Sequence, residues 1–285
     1  MEAYSCLSTE GKIIGYCGIH KRAIIESGKK RTIAEFSDVI FESEYQGRGY
    51  VKEFLHLLSQ TYLKGCDYWI FYPMDRAAEI AWRFMFRQHD IYNIIRWGIL
   101  LDDMNFTAET SDIETLEDIG SVGLNRNECE YLTWRYREYP ENYRFYSMKE
   151  GGNCVGYCAV KFVSLAGQNG AEIAEIALLE GQEQWRRKFM HEVFRMLKRE
   201  GCAFAILKTL AGSEEDNMLN GMQAGAKVTD KKIAIIVDQK DDKTQTSSMI
   251  HYIAGERLDI PREGKFIADL FKTETNVSVN RLPMP

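Results

Sequence analysis

The chain has 285 residues, 45% hydrophobic and 27% charged, and 36 Lys and Arg stand against 42 Asp and Glu for a net charge of −6. That length suits roughly two domains, and the balance is that of an ordinary globular protein. A net acidic chain lacks the basic face that wholesale nucleic-acid binding requires, so no nucleic-acid partner is expected.

No apolar run approaches the roughly 20 residues of a membrane-spanning helix, so no membrane partner is expected either. Met1–Ser8 is too short, and too soon followed by Glu10 and Lys12, to read as a signal peptide. The seven cysteines are odd in number, sit mostly in apolar runs and form no CxxC pair. Reduced thiols in a cytoplasmic protein are the expectation. Cys154 and Cys158 stand four apart without other paired ligands nearby, so no metal is expected.

Residues 4–7 and 13–20 read as strands around the turn Thr9-Glu10-Gly11-Lys12, and 24–30 as a charged connection. Ile33–Phe41 is rich in β-branched and aromatic residues and reads as a strand. Gln46-Gly47-Arg48-Gly49-Tyr50-Val51 then turns into an amphipathic helix. Its apolar face is Val51, Phe54, Leu55, Leu58 and Tyr62. Gly65 reads as its C-cap, Cys66–Tyr72 as a buried strand, Ala77–Gln88 as a second helix and Tyr92–Leu101 as a strand. Asp102–Glu130 is polar and holds the expected domain boundary. A helix over 128–137 ends before Pro140, and strands follow at 143–148 and 155–163.

The strand–turn–helix unit of 33–62 carries chemistry. The first amides of such a helix have no intrahelical partner and attract phosphate, together with the helix dipole. Gly47 and Gly49 permit close approach to the backbone, and Arg48 adds positive charge. The stretch resembles motif A of the GCN5-related N-acetyltransferase (GNAT) superfamily, Q/R-x-x-G-x-G/A, with Val51 at the last position as a departure. By that resemblance, Gln46, Gly47, Arg48, Gly49, Tyr50 and Val51 would hold the pyrophosphate of acetyl-CoA. Val39, Ile40 and Phe41 would present backbone to its pantetheine arm. The pair Ala34-Glu35 stands upstream at the spacing that places the general base in histone-acetylating members. The implied fold is α/β (α+β), with each domain a mixed central sheet flanked by helices.

An internal repeat is also legible. Ile14-Gly15-Tyr16-Cys17 recurs as Val155-Gly156-Tyr157-Cys158, Ile33-Ala34-Glu35 as Ile173-Ala174-Glu175, and Gly65-Cys66 as Gly201-Cys202. Residues 1–103 are therefore expected to form one GNAT-like domain, 104–240 a second, and 241–285 a tail. The second turn, Gln182-Glu183-Gln184-Trp185, has neither glycine, so the second copy is expected to be degenerate. The first copy has only a short segment before its Gly-Tyr-Cys strand. The first strand and helix pair that usually line the acceptor site in this family are missing there.

Acetyl transfer to an amine needs a base for the ammonium, a donor for the oxyanion and, optionally, an acid for the leaving thiolate. Glu35 is the expected base. Simple alternation puts it on one face with Ser37, Val39 and Phe41, opposite Ala34, Phe36, Asp38 and Ile40. Asp38 is the competing base. The family's thiolate acid is a Tyr on the helix after the next strand, but Trp82 stands at that position. Tyr72, Tyr50 or water are the substitutes. The five histidines, His20 among them, are not spaced as metal pairs and read as non-catalytic. Trp134 and Tyr139, in the aromatic run 131–146, are pocket candidates set against an ordinary core role.

The resemblance implies an acetyl-CoA-dependent N-acetyltransferase acting on a small-molecule amine by direct attack in a ternary complex. The alternatives are a non-catalytic binding or assembly protein of the same fold and a tandem aminoacyltransferase using charged tRNA.

Overall fold

The computed structural model describes residues 2–26, 29–73, 76–85, 90–104, 112–124, 126–137, 143–222 and 225–238. The first six elements are β1 (Glu2–Leu7), β2 (Ile13–Glu26), β3 (Lys29–Phe41), α1 (Tyr50–Thr61), β4 (Tyr68–Phe71) and α2 (Arg76–Met85). Then come β5 (Asp90–Leu100), β6 (Ile113–Thr115), α3 (Arg126–Leu132), β7 (Tyr143–Glu150), β8 (Asn153–Leu165) and β9 (Gln168–Leu178). The last are α4 (Arg186–Arg199), β10 (Phe204–Leu210), α5 (Glu214–Met222) and β11 (Ala226–Asp238). They form two compact units. The first holds the described residues up to Ile94 together with 230–238, and the second holds 95–229.

In the first unit the strands run in the order β1-β2-β3-β4-β11. β1, β2 and β3 are antiparallel, β3 and β4 are parallel, and β11 returns antiparallel to β4 with Ile236 opposite Ile70. The β2–β3 ladder reaches Glu26 opposite Lys29, so residues 24–26 and 29–30 of the segment expected as a charged connection are paired strand. Ladder hydrogen bonds keep a charged strand extended where its side-chain pattern alone suggests a loop.

β3 carries a bulge. Gly18 stands opposite Ser37 and Tyr16 opposite Ile40, so Cys17 faces two residues, Asp38 and Val39. An inserted residue reverses the in–out alternation. Ala34 and Phe36 before the bulge, and Phe41 after it, therefore enter one core with Phe54, Leu55 and Leu58 of α1 and Trp82 of α2. This corrects the expected faces: Glu35 does not share a face with Phe41. It lies on the other side of the sheet, in line with the buried Ile33.

In the second unit the order is β5-β10-β9-β8-β7-β6. β10 and β9 are parallel, and β9 to β6 form an antiparallel meander. α4 packs Phe189, Met190, Val193, Phe194 and Leu197 against one sheet face. The other face holds Leu116, Ile119, Tyr136, Phe145 and Tyr157. Here Glu175 is fully buried, and its two oxygens accept hydrogen bonds from Tyr136 (2.8 Å) and Tyr157 (3.1 Å).

The ladders of the two units follow one pattern. His20 pairs with Glu35 as Lys161 pairs with Glu172, and Ile33 pairs with Tyr68 as Gly170 pairs with Phe204. Ala174 is the extra residue of an equivalent bulge, between Ala159 opposite Glu175 and Val160 opposite Ile173. The counterpart of Glu35 is thus Glu172, not Glu175. The Ile-Ala-Glu word of the sequence repeat is out of register by three positions, because short loop differences shift one strand against its neighbours.

Candidate active site

The site begins with how β3 hands over to α1. Gly15 lies opposite Phe41 on β2, and a Cβ there would sit 2.5 Å from the Phe41 ring. The missing side chain lets that ring lie flat on the strand. Its edge then meets Phe54 of α1, with centroids 5.7 Å apart. Glu42 N–H donates to Ile14 C=O at 3.0 Å, and the Gln46 amide Nε2–H donates to Phe41 C=O at 2.7 Å. Gln46 therefore braces the turn from strand to helix.

Two glycines make the turn itself. Gly47 has φ +72°, and Gly49, the N-cap of α1, has φ +91°. A Cβ on either would meet no atom within 4 Å, so backbone conformation demands glycine here and the space beside it is open. Residues 46–50 are exposed, the Arg48 cation among them. The orphan amides of the first turn of α1 point out of this opening. Val51 packs partly into the core, which accounts for an apolar residue where the resembled motif has a small one. Tyr50 is exposed and rests its ring against Tyr45, with centroids 5.8 Å apart.

The strand side is shaped by unequal strand lengths. The parallel β3–β4 ladder ends at Phe36 and Phe71, while β3 continues to Phe41. Among the described residues, β3 has no ladder partner on its β4 side from Ser37 onward. An open strand edge offers alternating N–H and C=O groups to an extended ligand. Along it Val39 is partly buried, Ile40 is 62% exposed and Phe41 is buried. The edge leads directly to the glycine turn, so Val39–Phe41 and Gln46–Val51 follow one another along one side of the unit.

Glu35 is partly buried, opposite His20 of β2 and Ile70 of β4. Tyr72 is partly buried and directly follows β4, where it continues the series Tyr68, Ile70. Trp69 and Phe71 take the opposite face, toward α1 and α2. Glu35 and Tyr72 thus belong to one face of the sheet. Asp38 stands in the bulge, two residues past the end of the β3–β4 ladder, and its side chain lies outside the described residues. Trp82 is buried and stacked on Phe71, with centroids 4.0 Å apart. Its position is given over to packing, where the resembled family carries a tyrosine. Trp134 is partly buried beside Tyr131, and Tyr139 lies outside the described residues. His20 is the residue that sequence reading passed over. Only the register reveals it as the direct neighbour of Glu35.

The corresponding turn of the second unit is built differently. Trp185 is the N-cap of α4 in a right-handed conformation (φ −89°), partly buried against the core, with Lys188 Nζ 5.3 Å from its ring centroid. Arg186 opens the helix and binds Glu214 (3.0 Å) and the buried Glu215 of α5. Burial pushes the Glu215 carboxyl up, and the Arg186 guanidinium opposes that shift. Two carboxylates and an indole stand where the first unit has an open glycine turn.

No helix of the described residues is long and apolar enough to cross a membrane. No protein-family model and no curated protein matches the sequence. Solved structures do match the fold. A GCN5-related N-acetyltransferase from Anabaena variabilis ATCC 29413 aligns at 12% identity and a TM-score of 0.57, over 82% of this chain and 62% of that one. A probable N-acyltransferase from Enterococcus faecalis V583, a conserved protein of unknown function, aligns at 14% and 0.54, over 81% and 61%. A GCN5-related N-acetyltransferase from Kribbella flavida aligns at 11% and 0.52, over 83% and 60%. The aligned region spans about three fifths of each of those chains. The chain has the mixed α/β fold of GCN5-related N-acetyltransferases.

Proposed function

We propose that the first unit is an acyltransferase site that takes an acetyl group from acetyl-CoA and passes it to a primary amine of a small molecule. The observation that carries this reading is the run of β3 past the end of β4, from Ser37 to Phe41, beside the glycine turn that opens α1. An extended thioester arm fits the free edge of β3, and a pyrophosphate fits the amides of 47–51 with Arg48. The second unit, whose turn is filled by Trp185 and by the Arg186 ion pairs, serves to complete the protein rather than to bind a second cofactor. The amine acceptor reaches the carbonyl from the Glu35 side of the sheet, in a cytoplasmic protein with reduced thiols.

The chemistry then follows from the chain's own groups. Glu35 removes a proton from the ammonium, and the freed amine attacks the thioester carbonyl in a ternary complex. A backbone N–H at the β3 bulge stabilises the oxyanion. Tyr72 returns a proton to the departing thiolate. Trp82 has no acidic proton to give, so Tyr72 or water takes that role.

Calorimetry with acetyl-CoA tests the reading. Binding in the micromolar range is expected for the wild type and is lost in Gly49→Trp. Glu35→Gln is expected to keep that binding and lose roughly 100-fold or more in turnover with amine acceptors. Absence of submillimolar acetyl-CoA binding by the wild type would sink the proposal, and would favour a non-catalytic module that has kept the fold.

A further inference from the structure

We propose that His20 is a positioning residue for Glu35, holding its carboxylate in place and accepting the proton it collects. This rests on the acyltransferase reading for its purpose but not for its test. The two residues are direct cross-strand partners on β2 and β3. Directly opposed antiparallel residues share a face, with Cβ atoms about 5 Å apart, so imidazole and carboxylate are neighbours. Both are partly buried, beside the fully buried Ile33 and Ile70. Apolar surroundings strengthen the interaction between them.

The second unit gives the contrast. There the equivalent pair is Lys161 and Glu172. A lysine is a fixed cation at neutral pH, so it holds a carboxylate ionised but has no vacancy for a proton. Histidine titrates near neutrality and can do both. The unit with the open glycine turn carries the pair able to move a proton, and the unit with the filled turn carries the pair that cannot.

The transfer balances. An N–H bond of the ammonium breaks and an O–H bond forms on Glu35. The proton moves to the neutral imidazole of His20 and then to solvent; the amine nitrogen bonds to the acyl carbon, the C–S bond breaks, and the nitrogen's second proton passes to the departing thiolate, whether relayed by Tyr72 or by water. Other ionisable side chains of the described residues on this face include Tyr16 in the β2 series, Tyr68 and Tyr72 in the β4 series, and Arg31, which pairs with Asp67 at 3.7 Å. Arg31 lies four residues along β3 from Glu35, beyond direct contact.

The first experiment needs no turnover. The His20 imidazole is titrated by NMR in the full chain, in the wild type and in Glu35→Gln. Loss of a neighbouring carboxylate is expected to move the His20 midpoint down by at least half a pH unit. An unchanged midpoint overturns the proposal even if acetyl transfer is confirmed. The second experiment reads the role. In His20→Gln, turnover at pH 7 is expected to fall about tenfold with acetyl-CoA binding intact, and the acidic limb of the rate profile is expected to move to lower pH. His20→Lys, which copies the second unit, is expected to abolish that limb above pH 5 and to be no faster than His20→Gln. Profiles that match the wild type in both variants overturn the relay. A midpoint shift in a protein that binds no acetyl-CoA would retain the coupled pair and reject the acyltransferase reading.

Discussion

At the scale of single residues, Gly49 concentrates the conflict between stability and binding. Its φ of +91° lies outside the regions that side-chain-bearing residues occupy comfortably. Gly49→Ala is expected to cost about 1–2 kcal/mol of stability through the backbone alone, since no neighbour would meet the new Cβ. Chemical denaturation should show that loss as a lower midpoint with an unchanged slope. Acetyl-CoA affinity should fall more than the stability does, because the added methyl stands in the opening proposed to take the pyrophosphate. An affinity unchanged in Gly49→Ala would move the phosphate site away from this turn. Trp185 shows the other solution at the same point of the second unit. A right-handed N-cap tolerates a large side chain and closes the opening.

At the scale of elements, the Gly15–Phe41–Phe54 contact decides where α1 begins. Gly15→Ala pushes a methyl into the Phe41 ring and should cost about 1–3 kcal/mol, as overpacked sites do. Phe41→Leu should cost roughly 1–2 kcal/mol for the lost ring volume. Combining them should recover part of the loss, because the smaller side chain leaves room for the methyl. The double-mutant cycle then shows a coupling of about 1 kcal/mol or more. Strict additivity in thermal or denaturant melts would show that the ring does not lie over Gly15. This contact was half legible in the sequence. The helix face of α1 was readable because a 3.6-residue period survives without knowledge of partners, and Phe54, Leu55 and Leu58 are indeed buried. The phase of β3 was not, because a bulge inserts one residue and reverses every later side chain. Alternation therefore joined Glu35 with Phe41, and only the pairing of Tyr16 with Ile40 separates them. For the same reason the neighbour relation of His20 and Glu35 was invisible, since cross-strand register is a tertiary fact. The glycine turn was legible because positive φ and an open backbone select glycine locally.

At the scale of the whole molecule, the first unit is not built from one continuous piece of chain. In its strand order β4 is followed by β11, whose residues 235–238 pair with β4 although 135 residues of the second unit, 95–229, intervene. β4 is only four residues long and lies between β3 and β11 in the strand order. A short parallel strand depends on both neighbours for its backbone hydrogen bonds. Ile236→Pro removes an N–H from β11 opposite Ile70 and disfavours its extended pairing. Hydrogen exchange should then show faster opening at Trp69, Ile70 and Phe71, with the amides of the β8–β9 ladder unchanged. Acetyl-CoA binding should weaken along with β4, because β4 fixes the part of β3 that leads into the proposed site. If β4 stays protected in Ile236→Pro, the first unit holds its sheet without the returning strand, and residues up to 94 would suffice to form the site. If protection is lost, expression of residues 1–103 alone is expected to yield a chain without cooperative unfolding, and the active-site architecture depends on a segment that follows the second unit in sequence.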